Sequence, residues 1–203
     1  ESTHTPAVTS FNSDGFSVGD GTSVNENGDL YVAFQWKAGG GSRTTFTESG
    51  DNPGGGYQAN TTAGFSIVDF VGTGANGTVQ HGLGVAPRWY IVKNRDRSAN
   101  WQVYHEDNGN THYIKLNTTG AKLDNHEIFN DTSPTSSVFS VGIDQSVNFN
   151  GENHIAYVFA EIQGYSKFGS YTGNASADGP FVYTGFKPAW LMIRNTKAGE
   201  GWM

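Results

Sequence analysis

Short stretches of apolar residues alternate with turn-forming segments along the whole chain. Residues 65–70 (Phe-Ser-Ile-Val-Asp-Phe) alternate as expected of a strand with one buried face. Residues 89–92 (Trp-Tyr-Ile-Val) form an unbroken apolar run, which predicts a central strand covered on both faces. Pro87 lies just before this run, where a missing backbone amide does no harm. No window shows a sustained helical stripe, so the pattern predicts an all-β protein.

Further turns and strands are predicted around this central run. Residues 75–77 (Ala-Asn-Gly) are a tight-turn signal, and the polar residues 93–100 predict a hairpin back to a strand at residues 101–104. Other short strands are predicted at residues 113–116, 139–142 and 155–162. For residues 123–130 the pattern allows either a strand or one helical turn.

The central run belongs to a motif that occurs twice, at a constant offset of 101 residues from Gly84–Trp101 to Gly185–Trp202. Both copies read Gly, two residues, Pro, one residue, Trp, three apolar residues, a cation and Asn. A second Trp follows seven residues later in each copy. So many matches in one register indicate a repeat protein.

A second element repeats at an offset of 123 residues. Residues 16–19 (Phe-Ser-Val-Gly) recur at 139–142, and the apolar residues 32–36 correspond to residues 155–159. The Asn27–Gly28 pair, which lies between residues 16–19 and residues 32–36, is typical of a turn. The element therefore predicts a strand, an Asn/Gly turn and a buried apolar strand.

These repeats divide the chain into a complete unit and two halves. We predict a second half-unit at 1–40, a Gly-rich linker at 41–63, a complete β-sandwich unit at 64–163 and a first half-unit at 164–203. A half-unit would leave a bare sheet edge and an uncovered apolar face. We therefore expect the halves to pair, either within one chain or between neighbouring chains, where the contact would propagate into a filament.

The chain ends support the same expectation. It begins at Glu1 without an initiator Met, and Trp202 lies inside a predicted strand. We expect the chain to be a piece of a longer protein or to be completed by a neighbour.

Composition fits short strands joined by turns: 28 Gly, 13% aromatic residues and only 15% charged residues. A net charge of −7 argues against nucleic acid as a partner, because phosphate binding needs a basic surface. The absence of cysteine excludes disulfides and thiolate metal sites. No apolar run approaches the length of a membrane span, and no signal peptide is recognisable.

Two groups of residues were considered as metal ligands. The closest approach to a His cluster is His105-Glu106-Asp107 with His112, which we interpret as a polar hairpin loop. An oxygen-rich turn suits calcium in residue type, but its spacing is not that of an EF-hand, and such residues are ordinary in turns. This turn contains Asp20, Asn25, Asn27 and Asp29, echoed by Asp144, Asn148, Asn150 and Glu152. We predict no metal site.

Catalytic motifs are also missing from the sequence. Glycoside hydrolysis needs two carboxylates across a cleft, and the sequence alone pairs none of Glu127, Asp131, Asp144, Glu152 and Glu161. No nucleophile elbow, phosphate-binding loop or dinucleotide fingerprint is present. We therefore predict no enzyme, no catalytic residues and no cofactor-binding residues.

Cations, tryptophans and glycosylation sequons complete the candidates. A small basic patch predicts a solvated hairpin, or alternatively a contact with an acidic sugar or a partner chain; it contains Arg88, Lys93, Arg95 and Arg97. The tryptophans recur at repeat positions, which favours core anchors over sugar-stacking platforms; they are Trp36, Trp89, Trp101, Trp190 and Trp202. Sequons, relevant only where glycans are added, lie at Asn60, Asn76, Asn117, Asn130 and Asn174.

Several strings suggest a family. Residues 64–68 (Gly-Phe-Ser-Ile-Val), 81–87, 130–140, 168–174 (Phe-Gly-Ser-Tyr-Thr-Gly-Asn) and 185–190 resemble a repeat domain of marine phage structural proteins, notably cyanophage tail fibres. The resemblance covers nearly the whole chain. It implies a virion or fibre context, and it implies no site residues.

Together these observations predict an all-β protein of tandem β-sandwich units, jelly-roll-like or lectin-like, one of them built from complementary halves. We expect a structural or adhesive repeat protein of a phage tail fibre or extracellular filament, acting as a homo-oligomer or helical filament without cofactors. The first alternative is a carbohydrate-binding module for host-surface glycans. The second is a glycan-degrading tailspike.

Overall fold

The computed structural model describes residues 7–197 and 199–203. The chain divides into two compact units, residues 1–36 and residues 37–203. Within the described residues every paired strand is antiparallel, and the only helices are four-residue or shorter turns. The all-β prediction is therefore confirmed.

The first unit is a small hairpin followed by a helical turn. Strand β1 (Val8–Phe11) pairs with β2 (Phe16–Val18), and α1 (Thr22–Asn25) follows. The Tyr31 hydroxyl ties the next segment back, because it donates to the carbonyl of Thr22 at 2.9 Å. No described residue of this unit is buried.

Residues 32–36 correct the prediction of a buried apolar strand. They form no strand, and Val32 is 82% exposed. A strand gains its stability from hydrogen-bonded neighbours and a covered face. The sheet of the first unit consists of β1 and β2 alone, and residues 32–36 add no third strand to it.

The second unit is built on one eight-stranded sheet and a two-stranded ribbon. The large sheet has the order β10-β9-β8-β7-β12-β5-β4-β3, and the ribbon pairs β6 with β11. The strands are β3 (Thr44–Phe46), β4 (Gly54–Asn60), β5 (Phe65–Val71), β6 (Gly77–Gln80), β7 (Trp89–Asn94), β8 (Gln102–His105), β9 (His112–Lys115), β10 (Leu123–Asp124), β11 (Val138–Val141) and β12 (Asn153–Phe159). The helical turns are Glu106–Asn108 (3-10), α2 (His126–Phe129) and α3 (Gln145–Asn148).

Strand β7 is the centre of the sheet, as its apolar run predicted. All six of its residues are buried. Tyr90 and Val92 face one apolar cluster, whereas Trp89 and Ile91 face another. This alternation confirms a strand that is covered on both sides.

The two faces of the sheet are covered differently. The larger core lies under the ribbon and the turns α2 and α3, which contribute Phe139, Phe129 and Val147. The smaller cluster contains Trp89, Ile91, Val103 and Ile114, with Phe168, Met192 and Trp202 packed against it. Burial of these side chains supplies most of the stabilisation, at about 25 cal/mol per Å² of apolar surface.

The linker prediction for residues 41–63 was wrong in its local structure, since β3 and β4 lie there. Strand β4 pairs with β5 at seven positions, from Gly54 opposite Val71 to Asn60 opposite Phe65. Its glycines allow close approach rather than flexibility, because a Cβ on Gly55 would lie 2.0 Å from the Asp69 carbonyl oxygen. Glycine content alone does not distinguish these two roles.

Residues 123–130 contain both of the structures that the sequence left open. The short β10 pairs with β9, and α2 follows directly. The side chain of Asn125 caps α2 by accepting a hydrogen bond from the amide of Glu127 at 3.0 Å. Asn130 ends the turn in the left-handed region, with φ of 53°.

The second copy of the Trp motif forms no strand at residues 190–193. Its described residues are held instead by an isolated bridge between Arg194 and Trp202, with paired backbone hydrogen bonds between Ile193 and Met203. No helix within residues 7–197 and 199–203 is long and apolar enough to span a membrane.

Candidate functional site

The His-rich loop folds on itself. The ring nitrogen Nδ1 of His105 accepts a hydrogen bond from the amide of Asp107 at 3.2 Å, and Glu106 forms an ion pair with Arg88. Burial lowers the pKa of His105, with Arg88 adding to the effect against the raising influence of the Asp107 and Glu106 charges. Among the residues described here, no group of three or more His, Asp or Glu side chains could hold a metal ion.

In the oxygen-rich turn at residues 144–152, the side chains stabilise the fold by hydrogen bonds within the chain. Asp144 caps α3, and its Oδ1 accepts hydrogen bonds from the Ser146 amide (2.8 Å) and hydroxyl (2.5 Å). The fully buried Asn148 accepts from the Thr73 amide at 2.9 Å and donates to the Gly142 carbonyl at 3.1 Å. In the first unit the corresponding cap position is Gly21, which has no side chain for this purpose.

Two of the four cations of the basic patch, Arg88 and Arg97, form ion pairs within the fold. Arg97 binds both carboxylate oxygens of Glu152 and lies 3.9 Å over the Phe149 ring. The Arg97 hydrogen bond lowers the pKa of Glu152, and the Asn94 amide assists at 2.7 Å. The buried Lys93 donates to main-chain carbonyls, whereas Arg95 is exposed.

The candidate carboxylates lie on different elements. Glu161 forms an ion pair with Lys167 at 2.7 Å and lies 3.8 Å from Arg88. Burial alone would raise the pKa of Glu161, but Lys167, the Phe168 amide and Arg88 together lower it. Glu127 belongs to α2 and Asp131 to the exposed loop after it.

The tryptophans differ in burial, even between equivalent positions of the repeat such as Trp89 and Trp190. Trp89 is buried, and both Trp101 and Trp202 pack on the same cluster, so the core prediction is confirmed for these three. It was wrong for Trp36 and Trp190, which are 43% and 47% exposed. Of the sequon residues, Asn76, Asn117 and Asn174 are exposed, and Asn60 and Asn130 are half-buried.

A polar crevice of about 360 Å³ lies between the end of β7, the strands β8 and β9, and the start of α3. Gln102 and Lys115 are direct cross-strand partners, so their side chains share one face of the sheet. Tyr113 and Ile128 add apolar surface. The remaining lining residues are Arg97, Ser98, Ala99, Asn100, Asp144, Gln145 and Ser146.

The hydrogen-bond network of the crevice is incomplete at Gln102, which is 4% exposed. The Ser146 hydroxyl gives its proton to Asp144, so it accepts from Gln102 Nε2 at 2.8 Å. That bond fixes the amide orientation and leaves Oε1 as a buried acceptor without a donor among the described residues. Such an acceptor costs about 1–3 kcal/mol.

The charges around the crevice are nearly balanced. The second oxygen of Asp144 and the Lys115 ammonium group have no hydrogen-bond partner within the described parts of the chain. Burial raises the pKa of Tyr113, and the negative charge of Asp144 raises it further. The crevice thus offers a carboxylate, an ammonium group and side-chain amides within one small volume.

Comparison with known protein families decides the chain's membership. The family described as "Domain of unknown function (DUF7483)" matches residues 1–203. The chain belongs to the DUF7483 family. Comparisons with curated proteins and with solved structures gave no match.

In this DUF7483 chain, several crevice residues do not recur at the repeat offsets, although Ser146 does, as Ser23. Asp144 corresponds to Gly21 and Gln145 to Thr22 at the offset of 123. At the offset of 101, Gln102 corresponds to Met203 and Asn100 to Gly201. The crevice was not predicted from the sequence, because the predictions relied on positions that are shared by the copies of the repeat. The departures from the repeat were the signal that could have found it.

Proposed function

We propose that this DUF7483 chain is a structural repeat protein of a filament, such as a phage tail fibre, whose half-units complete one another. In this proposal the chain contributes two β-sandwich units of jelly-roll or lectin-like type, one complete and one composite. The supporting observation is the pairing of β12 with β7 in the complete unit. These two strands are the counterparts of residues 32–36 and 190–193 in the flanking halves.

The complete unit supplies the register for the composite one. In it, Ile155 lies opposite Lys93, Ala156 opposite Val92, and Phe159 opposite Trp89. Subtracting 123 from the β12 numbers and adding 101 to the β7 numbers places Val32 opposite Arg194. The same shift places Ala33 opposite Ile193, and Trp36 opposite Trp190.

Exposed apolar side chains in the flanks support this pairing. Leu191 is 63% exposed, whereas its counterpart Tyr90 is fully buried. Val32 is similarly exposed, and its counterpart Ile155 lies within β12. Apolar side chains that are exposed here, at positions that belong to paired strands in the complete unit, are what an unpaired strand would present.

Pairing between chains would make an open assembly. Each chain would present one half-unit at each end, and the head-to-tail contact would generate a filament unless its rotation closed a ring. The phage and extracellular context rests on the resemblance of residues 64–68 and 168–174 to tail-fibre repeats. Carbohydrate binding is the second candidate function, favoured by the polar crevice beside α3.

Cysteine cross-linking tests the register, since the chain contains no cysteine of its own. The variant Ala33→Cys/Ile193→Cys should form a disulfide on mild oxidation, because directly opposed strand residues have the Cα separation that a disulfide needs. The matched control is Ala33→Cys/Met192→Cys, in which the second side chain points to the opposite face. The readout is the yield of cross-linked species on a non-reducing gel.

The two single variants, mixed, distinguish the routes. Intermolecular pairing predicts a heterodimer from mixed Ala33→Cys and Ile193→Cys chains, and a ladder from the double variant. Intramolecular pairing predicts a cross-linked monomer from the double variant and no product from the mixture. Equal yields for the register pair and the control pair in both formats would reject half-unit complementation.

A further inference from the structure

We propose that the polar crevice beside α3 is a binding site for a neutral saccharide. The proposal concerns the complete unit alone and is independent of half-unit pairing. The carrying observation is an open crevice that combines unused donors and acceptors with a buried amide whose hydrogen bonds are incomplete.

The size of the crevice suits a sugar residue. Its volume of about 360 Å³ lies at the lower end of the range for small-molecule sites, roughly 300–1,000 Å³. It lies on rigid elements, because β8 and β9 form its floor and the capped end of α3 forms one wall. Such a scaffold holds polar groups in place before a ligand arrives.

The hydrogen-bonding groups match hydroxyls, which both donate and accept. Asp144 offers an unused carboxylate oxygen as an acceptor, and Lys115 offers an ammonium group as a donor. The side-chain amide of Asn100 accepts from Asn117 through its oxygen and keeps its NH₂ group for another partner. Tyr113 and Ile128 lie beneath the crevice in the larger core, only 7% and 2% exposed, so a sugar would be held mainly through its hydroxyls.

The electrostatics favour a neutral ligand over an anion. The charge of Arg97 is already neutralised by Glu152, and Asp144 would repel a carboxylate or phosphate. Lys115 and Asp144 balance each other within the crevice. A ligand with hydroxyls and no net charge uses both groups without leaving either charge uncompensated.

The repeat comparison separates this site from the framework. The framework residue Trp89 has the counterpart Trp190, and Val147 has the counterpart Val24. The crevice residues Asp144, Gln102 and Asn100 are replaced at their counterparts by Gly, Met and Gly. The repeat itself does not require Asp144, Gln102 or Asn100, which leaves the polar atoms that they do not use within the fold available to a ligand.

The test is a titration of the ¹⁵N-labelled chain with methyl glycosides of glucose, galactose, mannose and N-acetylglucosamine, followed by amide NMR shifts. We expect at least one glycoside to give saturable shifts confined to residues 97–102, 113–115 and 144–146. Lys115→Gln and Asp144→Asn should each weaken binding at least about tenfold, a change of about 1.4 kcal/mol. Asparagine at position 144 keeps the helix cap.

Controls make the result decisive. Lys122→Gln removes an exposed cation outside the crevice and should leave the Kd unchanged. Calorimetric titration measures the same Kd when assembly broadens the spectra. No saturable binding up to about 50 mM, far above the roughly 1 mM limit of weak specific ligands, would overturn the proposal. So would shifts elsewhere, or tighter binding of inorganic phosphate or glucuronate than of every neutral glycoside.

Discussion

The two copies of the Trp motif have closely similar sequences and very different surroundings. In the first copy, Trp89–Val92 is part of β7 and is buried between β8 and β12. In the second copy, residues 190–193 form no strand, and Leu191 is largely exposed. The apolar pattern therefore encodes the capacity to be a central strand. The neighbouring strands decide whether that capacity is used.

The difference shows where the stability of each copy resides. Burial of β7 depends on its sheet neighbour β12, on the ribbon β6–β11 over one face, and on Phe168, Met192 and Trp202 over the other. Most of these are distant from β7 in sequence. For the second copy, the segment that corresponds to β12 lies before it in the chain, at residues 32–36. Long-range pairing of this kind is invisible in a local window.

Alanine at the same motif position in each copy is the strongest test of this contrast. Tyr90 is fully buried, stacked on Tyr104 with ring centroids 4.6 Å apart. Tyr90→Ala should lower the free energy of unfolding by about 3–5 kcal/mol, measured by denaturant titration. Leu191→Ala should cost less than about 0.5 kcal/mol in a dispersed chain, because it removes an exposed side chain.

Assembly should change the second result and not the first. Under conditions where the composite unit forms, Leu191 becomes buried, and Leu191→Ala should cost about 2–5 kcal/mol. A small and concentration-independent effect of Leu191→Ala in assembled protein would show that the second copy never adopts the environment of the first.

Acid should separate the complete unit from the flanks. His81 and His154 are fully buried, and burial lowers the pKa of each against the raising effect of a main-chain hydrogen bond. Their counterparts at the repeat offsets are Val182 and Tyr31, so the flanks have no histidine at these positions.

The sign follows from proton linkage. The unfolded chain binds a proton at each of these histidines near pH 6.5, whereas the folded chain resists it, so stability is full above that pH and falls as the pH drops below it. Denaturation midpoints should decline between pH 7 and pH 5. In His81→Asn/His154→Asn the decline over this range should be shallower, even if overall stability is lower. If the midpoint of the variant declines as steeply with pH as that of the wild type, these two histidines do not cause the decline.

A smaller effect is expected at the brace between Arg97 and Glu152. Glu152→Gln keeps the side-chain size but removes the charge that Arg97 binds. Its lowered pKa means that the wild-type advantage is present above the unfolded pKa and disappears as the pH falls through the folded value. The variant should therefore have a lower denaturation midpoint at pH 7 and approach the wild type in acid. Asp29→Asn, at the counterpart position, is the matched control and should change the midpoint less.

The sequence predicts a strand correctly where its apolar pattern matches its burial in the structure. The strand at residues 89–92, the return hairpin and the strand at 65–70 were predictable, because their apolar patterns match their burial. Residues 54–60 were not, because Gly54–Gly56 gave a linker composition where the structure needs close backbone approach. The buried strand predicted at 32–36 failed for a different reason, since its apolar pattern is that of a strand but these residues do not join the β1–β2 sheet.

The candidate site was less predictable than the fold. Gln102, Lys115 and Ser146 come from separate segments, and only the pairing of β8 with β9 and the position of α3 bring them together. Individually each is an ordinary polar residue. The sequence places Asp144 in an oxygen-rich turn, but its role as a helix cap depends on backbone geometry that residue spacing does not reveal.

The mildest test concerns Gln35, the counterpart of the fully buried Val158. In the composite unit a glutamine at this position would be buried opposite Leu191, where burial of its amide carries a cost. Gln35→Val should therefore stabilise the assembled protein by up to about 1 kcal/mol and raise the yield of the Ala33→Cys/Ile193→Cys cross-link.

The control for this substitution is Gln163→Val, in an exposed turn of the second unit. It adds the same apolar side chain without a predicted partner, so it should change neither stability nor cross-link yield. If both valines raise the yield equally, the gain reflects general hydrophobic association. If only Gln35→Val does so, then residues 32–36 pair with residues 190–193 in the register that β12 and β7 have in the complete unit. The two copies of the motif then differ in whether they are paired with that strand.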